Sequence, residues 1–182
     1  MLEKIRSAAD IKSLGDTEIA SLSSEIRQTI IETVAENGGH LASNLGFVEP
    51  TIVLHQVFTT PEDTILFDVG HQSYTHKLLT GRYDRFSTLR QFGGLSGFTN
   101  KDESVHDKLY AGHSGTAMAS ALGIAEAKRL SGSKSWTVCV IGDGSMTNGM
   151  TYEALNNCAG KNVRLIIVIN DNEMSISENV GG

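Results

Sequence analysis

The sequence predicts an α/β protein, a three-layer, doubly wound fold with a mostly parallel sheet and an N-terminal helical lead-in. Two observations carry this. Apolar runs of strand length alternate with longer stretches of helical periodicity, and two of the strands end in glycine- and oxygen-rich turns, where ligands of open parallel sheets bind.

The elements follow in order. From Asp16 to Asn37, Ile19, Leu22, Ile26, Ile30 and Val34 recur at three- and four-residue steps, predicting an amphipathic helix stopped by Gly38-Gly39. A short helix is expected from Glu49-Pro50 to Phe58, with proline tolerated in the first turn. Thr64 to Val69 reads as a buried strand that delivers Gly70-His71 at its carboxyl end. The glycine-rich stretch from Phe86 to Asn100 reads as a long surface or active-site loop, and charges cluster after it through Lys108. Gly112-His113-Ser114 opens a close-packed helix through Ala117, Ala121 and Ala125, ending near Ser131-Gly132. Strand Trp136–Ile141, helix Met150–Ala159 and strand Val163–Ile169 then form a parallel strand-helix-strand unit.

Composition limits the function. The chain has 182 residues, 40% of them hydrophobic, which is enough for a core without metal or disulfide staples, and one domain is expected over 1–182. A net charge of -6 argues against attraction to nucleic acid or an anionic membrane. Small molecules are the expected partners, and any anion has to be held locally by amides or a metal ion. Cys139 and Cys158 lie far from any Cys-x-x-Cys spacing and read as structural thiols. The start, Met1-Leu2-Glu3-Lys4, lacks a signal-like apolar stretch, so a cytoplasmic location is expected.

The chemistry concentrates where two strands end, in Gly142-Asp143-Gly144 and Asn170-Asp171-Asn172. The Asp143 carboxylate and the Asn172 amide oxygen are hard donors suited to Mg²⁺, which completes its octahedral shell with phosphate oxygens and water. Gly142 and Gly144 would let a diphosphate approach the backbone, and the following helix would turn its N-terminal amides toward it. Alone, either triplet is an ordinary turn. Together, at consecutive strand ends with one helix between them, they resemble the signature of thiamine diphosphate-binding proteins.

The chain resembles the 1-deoxy-D-xylulose-5-phosphate synthase family along nearly its whole length. The resemblance rests on Gly-Gly-His-Leu-Ala-Ser-Asn-Leu-Gly (38–46), Asp-Val-Gly-His-Gln-Ser-Tyr-Thr-His-Lys-Leu-Leu-Thr-Gly-Arg (68–82), Leu-Arg-Gln-Phe-Gly-Gly-Leu-Ser-Gly-Phe (89–98) and Asn-Asp-Asn-Glu-Met-Ser-Ile-Ser (170–177). Transketolases share the cofactor signature, but the second and last of these blocks favour the synthase. The resemblance implies Mg²⁺ bound by Asp143, Asn172 and the Met174 carbonyl, and thiamine diphosphate contacted by His71, Gly112, His113, Ser114, Gly144, Ser145 and Asn172. It places His40 near the substrate carbonyl or the reactive thiazolium carbon, where an imidazole can shuttle protons. His55 and His106 read as structural or exposed, and His76 is left open.

The implied reaction is decarboxylative condensation of pyruvate with glyceraldehyde 3-phosphate to 1-deoxy-D-xylulose 5-phosphate, feeding isoprenoid, thiamine and pyridoxal synthesis, in a homodimer. Family catalysis also uses a cofactor-activating glutamate from a pyrimidine-binding domain, and no residue here matches it. The chain is therefore expected to be the diphosphate-binding part of a longer enzyme and inactive alone. The alternatives are a subunit of a split transketolase-like enzyme and a non-catalytic binding module. Two departures from the family pattern stand near the site: Gly115, where Ser or Thr is usual, expected to loosen the helix start, and Pro50, expected to shift the short helix.

Overall fold

The computed structural model describes residues 1–171, which fall into two compact units. The first comprises Met1–Pro61 and Gly70–Tyr110, the second Glu62–Val69 and the chain from Ala111 onward.

The first unit is helical. Two 3-10 turns, Leu2–Lys4 and Ala8–Ile11, precede helix α1 (Asp16–Asn37). Leu22, Ile26 and Ile30 of α1 are completely buried, and Ile19 and Val34 pack at the edge of the same core, as the four-residue spacing requires. The Glu18 carboxylate accepts from the Gly15 N–H at 3.0 Å to satisfy the helix start, and Gly38, at φ 71°, ends the helix. Helix α2 (Leu41–Leu45) and helix α3 (Val48–Val57) follow. Pro50 sits within the first turn of α3, so the helix begins one residue earlier than its proline suggested. A short helix α4 (Tyr74–Lys77) continues to Arg82 through a bend at Thr80–Gly81, and the chain then forms a 3-10 helix, Tyr83–Thr88. Beyond it the glycine-rich segment is pinned by the buried side chains of Leu89 and Leu95.

This unit also buries a polar cluster. His55, His76 and Lys77 are fully enclosed, and Asp107 and Arg82 nearly so. Asp107 accepts from Arg82 Nη1 at 2.8 Å and Nη2 at 3.0 Å, and Glu103 accepts from Lys77 Nζ at 2.5 Å. His76 Nε2 lies 2.9 Å from Asp107 Oδ1, and His76 Nδ1 lies 2.8 Å from His55 Nε2. An ionised carboxylate can only accept, so both imidazoles carry their proton on Nε2 and the chain of donors runs from His55 through His76 to Asp107. Burial alone would raise the Asp107 carboxyl, but the hydrogen bonds from His76 and Arg82, with the guanidinium charge, hold it well below the usual carboxylate range.

The second unit is built on a parallel sheet of order β1-β2-β3: β1 (Thr64–Phe67), β2 (Thr137–Gly142) and β3 (Leu165–Asn170). Central strand β2 is buried from Thr137 to Ile141, which explains its unbroken apolar run. Helix α5 (Ala117–Leu130) packs on β2 through a face with Ala117, Met118, Ala121, Leu122 and Ala125 buried, the alanines permitting close approach, and α6 (Gly149–Cys158) lies beside α5. Both thiols behave as structural groups: burial pushes Cys139 up to about 12 and raises Cys158 as well. Gly115 does not loosen the start of α5. It adopts φ 81° with its backbone so close to Asn148 that an added Cβ would lie 2.3 Å from that side chain.

Acid should weaken the first unit. Burial lowers the pKa of His55 well below its ordinary value, lowers that of His76, and lowers that of His106 to about 4. The unfolded chain therefore takes up protons near pH 6.5 that the fold refuses, and stability falls as pH drops below that value. The slope is about 1.4 kcal/mol per pH unit for each of the enclosed His55 and His76, with a smaller share from the partly exposed His106. Asp107 adds a loss only below the usual carboxylate range. Urea midpoints should fall between about pH 7 and about pH 5, and a His55→Phe variant should lose less.

Candidate active site

In the first unit the site is organised around His40. Gly38 at φ 71° and Gly39 at φ 149° lead the chain over Tyr74, where a Cβ on Gly39 would come within 2.8 Å of the phenol oxygen. Only glycine fits so close a crossing. The His40 N–H donates to Tyr74 Oη at 3.3 Å. The His40 ring stands edge-on to His71, with centroids 5.4 Å apart, and is flanked by Phe98 at 5.7 Å. Burial, together with the nearby positive charge of Arg90, lowers the His40 pKa, so the imidazole is neutral in the ordinary working range. Its Nδ1 is buried and meets no hydrogen-bond partner among the described residues.

Asn44 joins the two histidines. Its Nδ2 donates to the His40 carbonyl at 2.6 Å and the His71 carbonyl at 2.7 Å, while its Oδ1 accepts from the Tyr74 N–H at 2.9 Å. The residue is completely enclosed. In the sequence Asn44 stands only as one residue of the 38–46 block, and a polar residue between Ser43 and Leu45 on a short helix carries no mark of its role.

In the second unit, β2 delivers Gly142 and then Asp143, which opens a 3-10 helix, Asp143–Thr147. The Asp143 residue is half-buried, and none of the described residues hydrogen-bonds its carboxylate. The β2–β3 register sets Gly142 against Asn170, so Gly142-Asp143 and Asn170-Asp171 emerge from adjacent strand ends as their sequence positions predicted. Asn172 and Met174 lie outside the described residues. A Cβ on Gly142 or Gly144 would meet no described atom within 4 Å, so packing against the described residues does not account for these glycines. Ser145 is buried, and its carbonyl accepts from Thr151 Oγ1 at 3.2 Å.

Helix α6 begins at Gly149, one residue before the Met150 that the sequence predicts, and its Met150 N–H is already taken by the Asn148 side chain at 2.9 Å. That N-terminal amide is thus satisfied within the protein.

Gly112, His113 and Ser114 precede α5. Gly112 has φ 130°, and His113 and Ser114 are exposed. The segment is held at both sides. The Ser114 carbonyl accepts from Asn148 Nδ2 at 3.3 Å, and the buried Asp68 carboxylate, at the end of β1, accepts from the Gly115 N–H at 2.9 Å and the Ala117 N–H at 3.0 Å. Asp68 was missed in the sequence because an acidic residue at a strand end resembles any turn residue. Of the other histidines, His55 and His76 belong to the enclosed cluster, and His106 Nδ1 lies 2.9 Å from Thr60 Oγ1, a structural contact.

Among the described residues no three His, Cys, Asp or Glu side chains converge as a metal cage. One half-buried carboxylate at a strand end suits Mg²⁺, which takes one or two carboxylates and completes its shell with phosphate oxygens and water. The residues present therefore fit the proposed group.

The fold is that of transketolase-like proteins. Solved transketolases from Campylobacter jejuni (TM-score 0.80, 20% identical, covering 90% of this chain and 29% of that one) and Leishmania mexicana (TM-score 0.77, 22% identical, covering 87% and 28%) share it. Residues 2–182 match the family model described as 1-deoxy-D-xylulose-5-phosphate synthase. Curated relatives of that name from Dictyoglomus thermophilum and Caldanaerobacter subterraneus are 57% and 56% identical over 181 residues, each covering 100% of this chain and 29% of the relative. The chain belongs to the 1-deoxy-D-xylulose-5-phosphate synthase family and spans less than a third of the length of the relatives it matches.

Replacing Asn44 by Ala should leave two carbonyls and one amide inside the unit without their partners. A loss of about 1–3 kcal/mol is expected, read as a lower urea midpoint, whereas Ser24→Ala on the exposed side of α1 should change it little.

Proposed function

We propose that this chain is the cofactor-phosphate part of an enzyme that condenses pyruvate with glyceraldehyde 3-phosphate, releasing CO₂ and giving 1-deoxy-D-xylulose 5-phosphate. The reading is carried by the family match over residues 2–182, with Asp143 at the carboxyl end of the central parallel strand. Asp143 would hold Mg²⁺ together with Asn172 and the Met174 carbonyl. His71, Gly112, His113, Ser114, Gly144 and Ser145 would bind the thiamine diphosphate. When bound, that cofactor supplies the centre that accepts the electron pair released with CO₂.

The residues of the chain then divide the work. Asp143 neutralises charge through the metal, so that the diphosphate can lie against an acidic protein. The open backbone at Gly142 and Gly144 admits phosphate oxygens without a steric penalty. Neutral His40 would accept a proton from a substrate hydroxyl or water and return it. His71 orients beside it, with its backbone fixed by Asn44.

The same reading makes the whole protein a cytoplasmic homodimer serving isoprenoid, thiamine and pyridoxal synthesis, with the activating glutamate supplied outside these residues. The chain alone would bind cofactor without carboligation. Among the described residues no helix is long and apolar enough to cross a membrane.

Calorimetric titration with thiamine diphosphate should show binding in Mg²⁺ that disappears in EDTA and in Asp143→Ala. In the full-length protein, His40→Ala should lower turnover by about 10²- to 10⁴-fold while cofactor binding persists. Magnesium-independent binding, or full turnover in the His40 variant, would contradict the assignment.

A further inference from the structure

We infer that Glu103 and Asp107 are positioning residues for His40, acting by holding the Ser96–Asn100 segment so that Phe98 walls the imidazole. The inference rests on the role proposed for His40. Its geometry is contained within the first unit.

Phe98 is the middle residue of a short stretch whose two ends are both fastened by buried carboxylates. Glu103 Oε1 accepts from the Ser96 N–H at 2.5 Å, and Asp107 Oδ2 accepts from the Asn100 N–H at 2.8 Å. Each carboxylate is held from behind by a cation. Glu103 Oε2 accepts from Lys77 Nζ at 2.5 Å and more weakly from Arg82 at 3.4 Å, and Asp107 takes both Nη atoms of Arg82. Lys77 and Arg82 belong to the segment that leaves Tyr74, and Tyr74 Oη accepts from the His40 N–H. The two sides of the His40 pocket are thus joined through ion pairs with almost no exposure.

The loop before Phe98 is built to the same end. Arg90 adopts φ 62° and its N–H donates to the Leu95 carbonyl at 2.6 Å, closing a tight turn. Gly97 lies under the Arg90 stem, where a Cβ would come 3.0 Å from Cγ, and a Cβ on Gly94 would collide with the Thr88 carbonyl at 2.1 Å. Apolar residues of the same volume could fill the interior occupied by the ion pairs and often do so at no loss of stability. They could not accept two backbone N–H groups at fixed positions on either side of Phe98. Positional control is what the carboxylates add.

The charged and titratable groups facing His40 are His71, Tyr74 and Arg90. None changes charge when Glu103 is altered, and the negative charge lost in Glu103→Gln would by itself lower the His40 midpoint. An upward change in His40 titration would therefore report the movement of its wall. Phe98 keeps water from one face of the ring, and desolvation is the principal cause of its lowered pKa.

The test is the His40 ring titration followed by NMR in the 182-residue chain, in Glu103→Gln, in Glu103→Asp, which keeps the charge but shortens its reach, and in Phe98→Ala, which leaves the ion pairs intact. All three should move the midpoint upward, toward the ordinary imidazole value of about 6.5. In the full-length holoenzyme they should lower kcat by about 10- to 100-fold with the acid limb of the pH profile displaced in the same direction. Magnesium-dependent thiamine diphosphate binding should be retained. If a folded Glu103 variant loses thermal stability but leaves the His40 midpoint where it was, the inference is overturned. It is also overturned if Phe98→Ala leaves that midpoint unmoved. Wild-type chain that fails to bind the cofactor would instead overturn the functional reading, and the NMR titration would still decide the positioning role.

Discussion

The carboxylate of Asp107 accepts from both ends of the Arg82 fork, from His76 and from the Asn100 amide without meeting bulk water. Much of the first unit follows from that arrangement. A lone buried carboxylate would be neutralised or would unfold its surroundings, so an enclosed Asp is stable only where donors saturate it. Here those donors come from α4, from the bend after it and from the glycine-rich segment, so ionisation of one group commits three stretches of chain to one another. Lys77 and Glu103 repeat the pattern beside it. Such a cluster is weak evidence for stability, because the desolvation cost nearly offsets the attraction. Its stronger consequence is that few other arrangements satisfy all of its members.

The second unit uses the same device with less charge. Asp68 ends the short outer strand and takes the amides of Gly115 and Ala117, fixing how the chain leaves Gly112-His113-Ser114 and starts α5. Asn148 holds the same turn from its other side, and the lack of a Cβ on Gly115 is what lets the two approach. Carboxylates therefore serve two purposes in this molecule. Asp68, Glu103 and Asp107 are saturated by protein donors and organise backbone, while Asp143, the carboxylate proposed for the metal, stands half-buried at a strand end with no described donor on it.

This division explains what could be read in the sequence. The buried face of α1 and the strands followed from apolar spacing, because burial acts on each residue locally. Gly142-Asp143-Gly144 and Asn170-Asp171 were legible as a pair because parallel pairing in register brings consecutive strand ends together. The roles of Asn44, Asp68 and Glu103 were hidden, since each depends on a partner far along the chain: Asn44 on His71, Asp68 on Gly115, Glu103 on Lys77. Glu103 and Asp107 sit in the cluster of charges through Lys108, where nothing local distinguishes an enclosed carboxylate from an exposed one, and the loop they anchor has its order from their side chains rather than from its own periodicity. His55 in α3 and His76 in α4, with β1 between them in sequence, gave no sign that they would meet.

Charge also constrains how the candidate site could work. The protein carries a net charge of -6, and Asp143 adds a carboxylate where a diphosphate is proposed to lie. Two unit charges of like sign at about 4 Å repel by about 1 kcal/mol in water and by about 4 kcal/mol near a protein surface. With the N-terminal amide of Met150 already satisfied by Asn148, the start of α6 offers less compensation than its position in sequence suggested. A carboxylate there is favourable only if a divalent cation stands between it and the phosphates. Under the proposed function, that requirement would make the metal a condition of cofactor binding rather than an accessory to it.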